Sequence, residues 1–313
     1  MMKTALMFSG QGTQYPGMMR DLFDTYHQTK EVFDIASTCL GRDIYDVTMD
    51  SSQEELDRTE NTQPCLLTCE LAALRVLRFL EIPYHAALGF SLGEWAALVA
   101  SGAAIEGNVL EIIGRRAKAM QRAVPAGEGG MAVVLGKDSD FVAALCREIG
   151  GVVPSNFNCP GNITVAGAAA SVDQLLEAAA AQGIMASRVA VSIPSHCPLM
   201  ESAVRELRPL VQAMDMGDPQ LPLLMNAIGR PAFDSRTVKE NLIYQLLYPV
   251  LFQQSIEYLL GDGYDTFIEI GPGKTLSGMV KRTTKQIGQK VQILQFNSLE
   301  SVKKVCDYNG IPV

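Results

Sequence analysis

Histidine is scarce in this chain, with three among 313 residues. A near-neutral base must therefore be His27, His85 or His196. Basic charge is also in deficit. Lys and Arg number 26 against 34 Asp and Glu, a formal net charge of −8. That excludes the broad basic footprint of a general nucleic-acid binder but leaves room for a local basic patch. No apolar run approaches the roughly 20 residues of a membrane-spanning helix. The seven cysteines (39, 65, 69, 146, 159, 197, 306) include no C-x-x-C pair. Their odd number and spacing argue for reduced thiols, with neither a disulfide framework nor a zinc site. The start of the chain lacks the long apolar region and cleavage site of a secretion signal. The expectation is a cytoplasmic monomer with no metal, no nucleic acid and no membrane partner.

What is present is ordinary globular material, 48% hydrophobic and 19% charged. The length suits one large domain or two smaller ones. Thr4 to Phe8 reads as a core strand and Ser9 to Gln14 as a loop. Helices are predicted over Pro16–Thr38, Thr62–Leu80, Leu92–Ala100 and Asn108–Val124, with a strand over Tyr84–Leu88. This alternation predicts a parallel α/β sheet. Residues 131–193 then read strand (Met131–Leu135), helix (Asp140–Ile149), strand (Val152–Asn158), strand (Asn162–Ala166), helix (Ser171–Gln182), strand (Ser187–Ile193). That β-α-β-β-α-β order is ferredoxin-like. Afterwards the first pattern returns, with helices over Pro198–Met214, Val238–Leu247 and Gln253–Asp262 and strands over Leu221–Asn226, Thr266–Ile270 and Val291–Phe296. The expected division is a large α/β unit of residues 1–126 and 198–313 with a small unit, 127–197, inserted.

Gly89-Phe90-Ser91-Leu92-Gly93 fits G-x-S-x-G, a serine on a sharp strand-to-helix turn. The flanking apolar strand and helix-forming run are the context that motif needs. Two bare glycines let strand and helix approach closely and leave the serine oxygen exposed at a helix N-terminus. The alternative is a glycine-rich turn with a solvated serine. A serine nucleophile needs a base within hydrogen-bond reach. His27 lies on a polar helical stretch. His85 begins the strand that ends at Ser91, roughly 20 Å away at ~3.3 Å per residue. His196 sits in a proline-bounded loop after a predicted strand, where active-site residues gather, and is the candidate base.

Arg116 lies three or four residues from Ile112, Ile113 and Met120, on the apolar face of its helix. A buried guanidinium needs an anion. Either an internal acid or a substrate carboxylate, held by the two-pronged fork, would serve. Gly10-x-Gly12 is not a dinucleotide fingerprint, because Tyr15 occupies the third glycine position. The loop instead suits an anion at the Gln11 N–H, which with the Leu92 N–H would form an oxyanion hole.

These segments, in this order, resemble one family along nearly the whole chain: malonyl-CoA:acyl-carrier-protein transacylases and the related acyltransferase domains of fatty-acid and polyketide synthesis. The matching residues are Gly10-Gln11-Gly12-Thr13-Gln14, Thr62-Gln63-Pro64, Gly89 to Glu94, Arg116 to Gln121, Asn156-Phe157-Asn158, Pro194-Ser195-His196-Cys197, Gln245-Leu246 and Gly271-Pro272-Gly273-Lys274. The resemblance implies an α/β-hydrolase-like large subdomain with a ferredoxin-like insert. It implies ping-pong transfer of malonyl from malonyl-CoA, through Ser91, to an acyl carrier protein, without a resident cofactor. His196 would be general base and acid, and Gln11 and Leu92 the oxyanion hole. Arg116 would hold the malonyl carboxylate, Gln245 would orient His196 through its carbonyl, and Gln63 would line the acyl pocket. Malonyl transferases of the family usually carry histidine before the nucleophile. Phe90 stands there instead, which leaves acyl choice less fixed than reaction class. A carrier-protein acyl hydrolase, or a transferase with another acyl-CoA preference, is the alternative. Lys274, Lys281, Arg282 and Lys285 are candidate carrier-docking residues.

Overall fold

The computed structural model describes residues 2–125, 127–189, 191 and 193–312. Its strands, in chain order, are β1 (Thr4–Phe8), β2 (Ala86–Gly89), β3 (Gly129–Leu135), β4 (Val152–Cys159), β5 (Asn162–Ala168), β6 (Ala186–Arg188), β7 (Leu223–Met225), β8 (Arg230–Ala232), β9 (Thr266–Ile270) and β10 (Gln292–Phe296). They form two sheets, one of six strands in the order β10-β9-β1-β2-β7-β8 and one of four in the order β4-β5-β3-β6.

In the first sheet every pairing from β10 to β7 is parallel, and only β8 turns back on β7. Parallel strands covered on both faces read as near-continuous apolar runs, and β1, β2 and β9 are buried at every position, with Glu269 of β9 the one acid among them. Side chains alternate between faces. Leu6 and Phe8 of β1 join one apolar cluster, and Ala5 and Met7 join the other. Burying each of the larger side chains stabilises the fold by about 1.5–3 kcal/mol. The strands present their C-terminal ends together, so the segments after β1, β2, β7 and β9 meet at one edge of the sheet.

The second sheet is antiparallel throughout. Helices Ser139–Ile149 and Ala169–Ala181 follow its first and third strands, and their apolar faces share one cluster with Ala132, Val134, Val152, Ile163 and Val165. Strand order and connections are those of the ferredoxin-like arrangement. The sheet meets the rest of the chain through Asn156, which bridges to Val250, and through hydrogen bonds from Phe157 N to Val250 O and Val250 N to Ser155 O.

Several elements differ from the sequence reading. The helix expected over Pro16–Thr38 is two, Arg20–Thr25 and Gln28–Leu40. Tyr26 is extended, and the Thr29 hydroxyl takes the Phe23 and Tyr26 carbonyls, which a continuous helix would use internally. Of the strand expected over Ser187–Ile193, the paired strand is β6, Ala186–Arg188, and beyond it Val189 N still donates to Met131 O at 2.9 Å and Val191 N to Val189 O at 2.8 Å. Within that expected strand, Ala190 and Ser192 lie outside the described residues, as does Ala126, the expected subdomain boundary. Pro198–Met200 is a 3-10 turn ahead of helix Glu201–Ala213, rather than the start of one helix.

Candidate active site

The turn from β2 into helix Gly93–Ala100 is tight enough to demand its glycines. A Cβ on Gly89 would lie 1.9 Å from the Gly93 carbonyl carbon, and one on Gly93 would lie 2.3 Å from Phe8 O. Between them Ser91 adopts φ 52°, a left-handed conformation costly for a side-chain-bearing residue. Asn226, just past β7, holds it there. Its Oδ1 accepts the Ser91 N–H at 2.7 Å, and its Nδ2 donates to Gly89 O at 2.7 Å.

Ser91 Oγ lies 2.8 Å from His196 Nε2. The other ring nitrogen, Nδ1, lies 2.8 Å from the Gln245 carbonyl. A carbonyl only accepts, so Nδ1 carries the hydrogen and Nε2 is left to accept from Ser91. His196 itself takes φ 59°, and Cys197 N is tied to Leu246 O. Burial holds the imidazole down at about 4, against the pull of the Gln245 carbonyl and with the Arg116 charge adding to the fall. The ring is therefore neutral at pH 7 and free to take a proton.

Arg116 is 1% exposed, on helix Glu106–Ala123. Its Nη1 donates to Gln63 Oε1 at 2.5 Å and its Nη2 to Gln245 Oε1 at 2.8 Å. Nη2 also reaches Ser91 Oγ at 3.4 Å. Every one of these partners is neutral. The direct pair with an internal acid, one of two readings of this arginine, is not among its hydrogen bonds. The nearest compensation is relayed. Gln245 Nε2 donates to Glu94 Oε2 at 2.5 Å and to Ser91 O at 2.8 Å. Glu94 Oε1 accepts the Asn226 N–H at 2.5 Å. Burial raises the Glu94 carboxyl to about 7, moderated by the bonds from Asn226 and Gln245 and by the Arg116 charge. Burial likewise lowers Arg116 to about 10, with Glu94 opposing.

The structure thus gathers Ser91, His196, Gln245, Arg116 and Gln63 in one hydrogen-bonded group. Gln63 is buried, accepts from Arg116 Nη1 and donates to Met120 Sδ at 3.3 Å, so it helps to hold the arginine. Leu92 directly follows Ser91, and Gln11 lies on the loop after β1. Neither backbone N–H has an acceptor among the described residues. Gly10 brings that loop against the elbow, since a Cβ there would lie 2.8 Å from Phe90 O. The half-buried Phe90 ring stands edge-on to Phe252 at 5.7 Å, anchored in the core behind the loop. The other two histidines are exposed, and His85 Nδ1 accepts the Thr4 N–H at the opposite end of β1. Among the described residues no group of three His, Cys, Asp or Glu is placed to hold a metal.

Sequence reasoning missed Glu94 and Asn226. Glu94 left a signal, an acid on a helix otherwise apolar on every face, which must be buried with it. Asn226 was the one polar residue closing an apolar strand.

The model of the acyl transferase domain matches residues 6–305. The malonyl CoA-acyl carrier protein transacylase of Staphylococcus aureus (strain COL) is 37% identical over 310 residues, 97% of this chain and 98% of its own. That of Bacillus subtilis (strain 168) is 37% identical over 292 residues, 92% of each chain. Among solved structures, the malonyl CoA-acyl carrier protein transacylase of Coxiella burnetii superposes with a TM-score of 0.94 at 32% identity, covering 98% of this chain and 97% of that one. A malonyl-transacylase in complex with its type II PKS acyl-carrier protein gives 0.94 at 32%, covering 98% and 100%. With a family model spanning nearly its whole length, and relatives matched end to end, this chain belongs to the acyl transferase domain family.

Proposed function

We propose that the chain transfers the malonyl group of malonyl-CoA to the phosphopantetheine thiol of an acyl carrier protein through an ester on Ser91. His196 Nε2 takes the hydroxyl proton as Ser91 Oγ attacks the thioester carbonyl. The oxyanion is received by the N–H groups of Gln11 and Leu92 at the N-terminus of helix Gly93–Ala100. As the tetrahedral carbon collapses, the C–S bond breaks and the CoA sulfur leaves with the proton from His196. The carrier thiol then gives its proton to His196, attacks the ester, and Ser91 Oγ leaves with that proton. Gln245 O keeps the imidazole in the working tautomer, in the place a carboxylate holds in a serine triad. No resident metal or cofactor enters these steps.

The observation that carries the reading is the position of Arg116, a buried guanidinium with only neutral partners, 3.4 Å from the nucleophile. A malonyl ester would set its free carboxylate where that cation is unmatched. A neutral acyl group would leave it so, at considerable cost. The reading places the site at the seam of a large unit, 1–126 with 198–313, and a small one, 127–197. Lys274, Lys281, Arg282 and Lys285 are exposed along helix Thr275–Ile287 and the turn before it, and would meet an acidic carrier.

The test is to supply malonyl-, acetyl- and methylmalonyl-CoA separately with holo-carrier protein and follow the acyl group. Malonyl on the carrier is expected. CoA release without transfer would make the protein a hydrolase. Transfer only from another acyl-CoA would mean that Phe90 redirects the pocket.

A further inference from the structure

The loop that carries Gln11 is anchored from beneath by an acid that the transfer steps do not use. Helix Thr59–Phe79 is buried along most of its length, and Glu70, 0% exposed, is among its apolar residues. Glu70 Oε1 accepts the Ser9 hydroxyl at 2.7 Å. Its Oε2 has no partner among the described residues. The neighbouring acid, Glu269 of β9, is differently placed. Its two oxygens accept the Leu276 and Ser277 N–H groups at 3.0 and 2.7 Å, at the start of helix Thr275–Ile287. That is a favourable setting for a negative charge. Glu70 has no helix terminus and no cation as a hydrogen-bond partner. Burial pushes its carboxyl well above the ordinary range against the Ser9 hydrogen bond, and Glu269 adds to the rise.

Ser9 is where three parts of the site meet. Its N–H donates to Ile270 O at 3.2 Å. Its carbonyl oxygen would lie 2.5 Å from a Cβ on Gly93, so it bears on the first turn of the nucleophile helix. Its hydroxyl is held by Glu70 under Gly271, where φ is 115° and a Cβ would fall 2.3 Å from Ser9 Oγ and 3.1 Å from Glu70 Oε1. Thr13 closes the loop from the far side, donating to Gly10 O at 3.1 Å. Gln11 stands two residues beyond Ser9.

We propose that Glu70 is a positioning residue for acyl transfer: through Ser9 it fixes the stem of the Gly10–Gln14 loop, and with it the Gln11 N–H that receives the oxyanion. The proposal rests on the Ser91 ester reading. A donor moved off its mark forfeits part of what its removal would cost, and about a tenfold loss in ester formation is expected against the 10²–10³ of a deleted donor. Substrate binding should be unaffected, because among the described residues neither Glu70 nor Ser9 is hydrogen-bonded to Arg116, Gln63 or Gln245.

The experiment measures the burst of malonyl-enzyme by rapid quench and intact mass across a malonyl-CoA series. Wild type is compared with Glu70→Gln, Glu70→Leu and Ser9→Ala, each shown folded by thermal melting. Glu70→Gln keeps an oxygen that can accept the Ser9 hydroxyl and should form ester at the wild-type rate. Glu70→Leu and Ser9→Ala should fall about tenfold in maximal rate, with half-saturation within twofold of wild type. If Glu70→Leu does not fold, the smaller Ser9→Ala change decides alone. A wild-type rate in folded Ser9→Ala overturns the proposal, as does a Glu70→Gln protein as slow as Ser9→Ala. A wild-type protein that forms no ester at all brings down the Ser91 reading, and this proposal with it.

Discussion

The two sheets bury their faces differently. The parallel sheet lies between two apolar clusters, fed by alternate residues of β1 and β9. The antiparallel sheet has one such face. On its other side Met131 and Ala166 pack with Cys197, the residue after His196, and the buried Thr164 and Asn158 are hydrogen-bonded to each other. Asn158 Oδ1 is buried there without a partner among the described residues. The parallel sheet is thus a rigid frame that can hold a strained residue. Ser91 is left-handed because Gly89, Gly93 and Asn226 leave it no other choice. The antiparallel sheet sets a small apolar cluster, with the Asn158–Thr164 pair on the same face, against the loop that supplies the base. Damage to the frame should appear in the chemical step, and damage near the small sheet should appear in partner binding.

The largest effect expected is at the join. His196→Ala should slow malonyl-ester formation about 10³- to 10⁴-fold without unfolding the protein, as stopped-time intact mass would show. A loss under tenfold would remove His196 from the chemistry and leave the small sheet only a wall.

Next comes the charge in the frame. Arg116→Ala should lower kcat/KM for malonyl-CoA by about 10²-fold or more and raise that for acetyl-CoA, because the buried cation that penalises neutral acyl groups is gone. An unchanged malonyl preference would reject the clamp.

A smaller effect is expected from pH. His196 works neutral, and its ordinary value of 6.5 is lowered to about 4. The acid limb of the burst rate should therefore lie near pH 4 and leave activity at pH 5.5 largely intact. The same depression contributes folding stability that is complete above 6.5 and lost as pH falls through about 4. A limb at 6.5 would mean that the imidazole is solvated, contrary to its burial.

The smallest effect belongs to the surface. Lys281→Glu with Lys285→Glu should raise the KM for carrier protein about fivefold at low salt, with the malonyl-CoA burst unchanged. Equal losses in both would show that this helix serves the frame rather than docking.

How much of this could be read from the chain depended on distance along it. The elbow was legible because its strand, glycines, serine and helix are contiguous. His196 was legible by scarcity, since only three histidines exist, strand geometry disposes of His85 and a polar helical stretch sets His27 aside. The ferredoxin-like strand order was legible because each strand and helix is short and separately bounded. The supporting network was not. Asn226 meets Ser91 from 135 residues away, and Gln245 meets Glu94 from 151. No local pattern encodes such pairs. Glu70 was hidden for the opposite reason, as one acid inside a run so apolar that it read simply as core helix. The break at Tyr26 was missed because a side-chain hydroxyl, at Thr29, decides it against the periodicity.

The central claim is that Ser91 carries the acyl group. It is tested most directly by incubating the protein with malonyl-CoA and mapping the modified peptide by mass, beside Ser91→Ala. The account predicts a malonyl increment on the peptide containing Ser91 and none in the variant. An increment on another residue, or one that survives in Ser91→Ala, would contradict it.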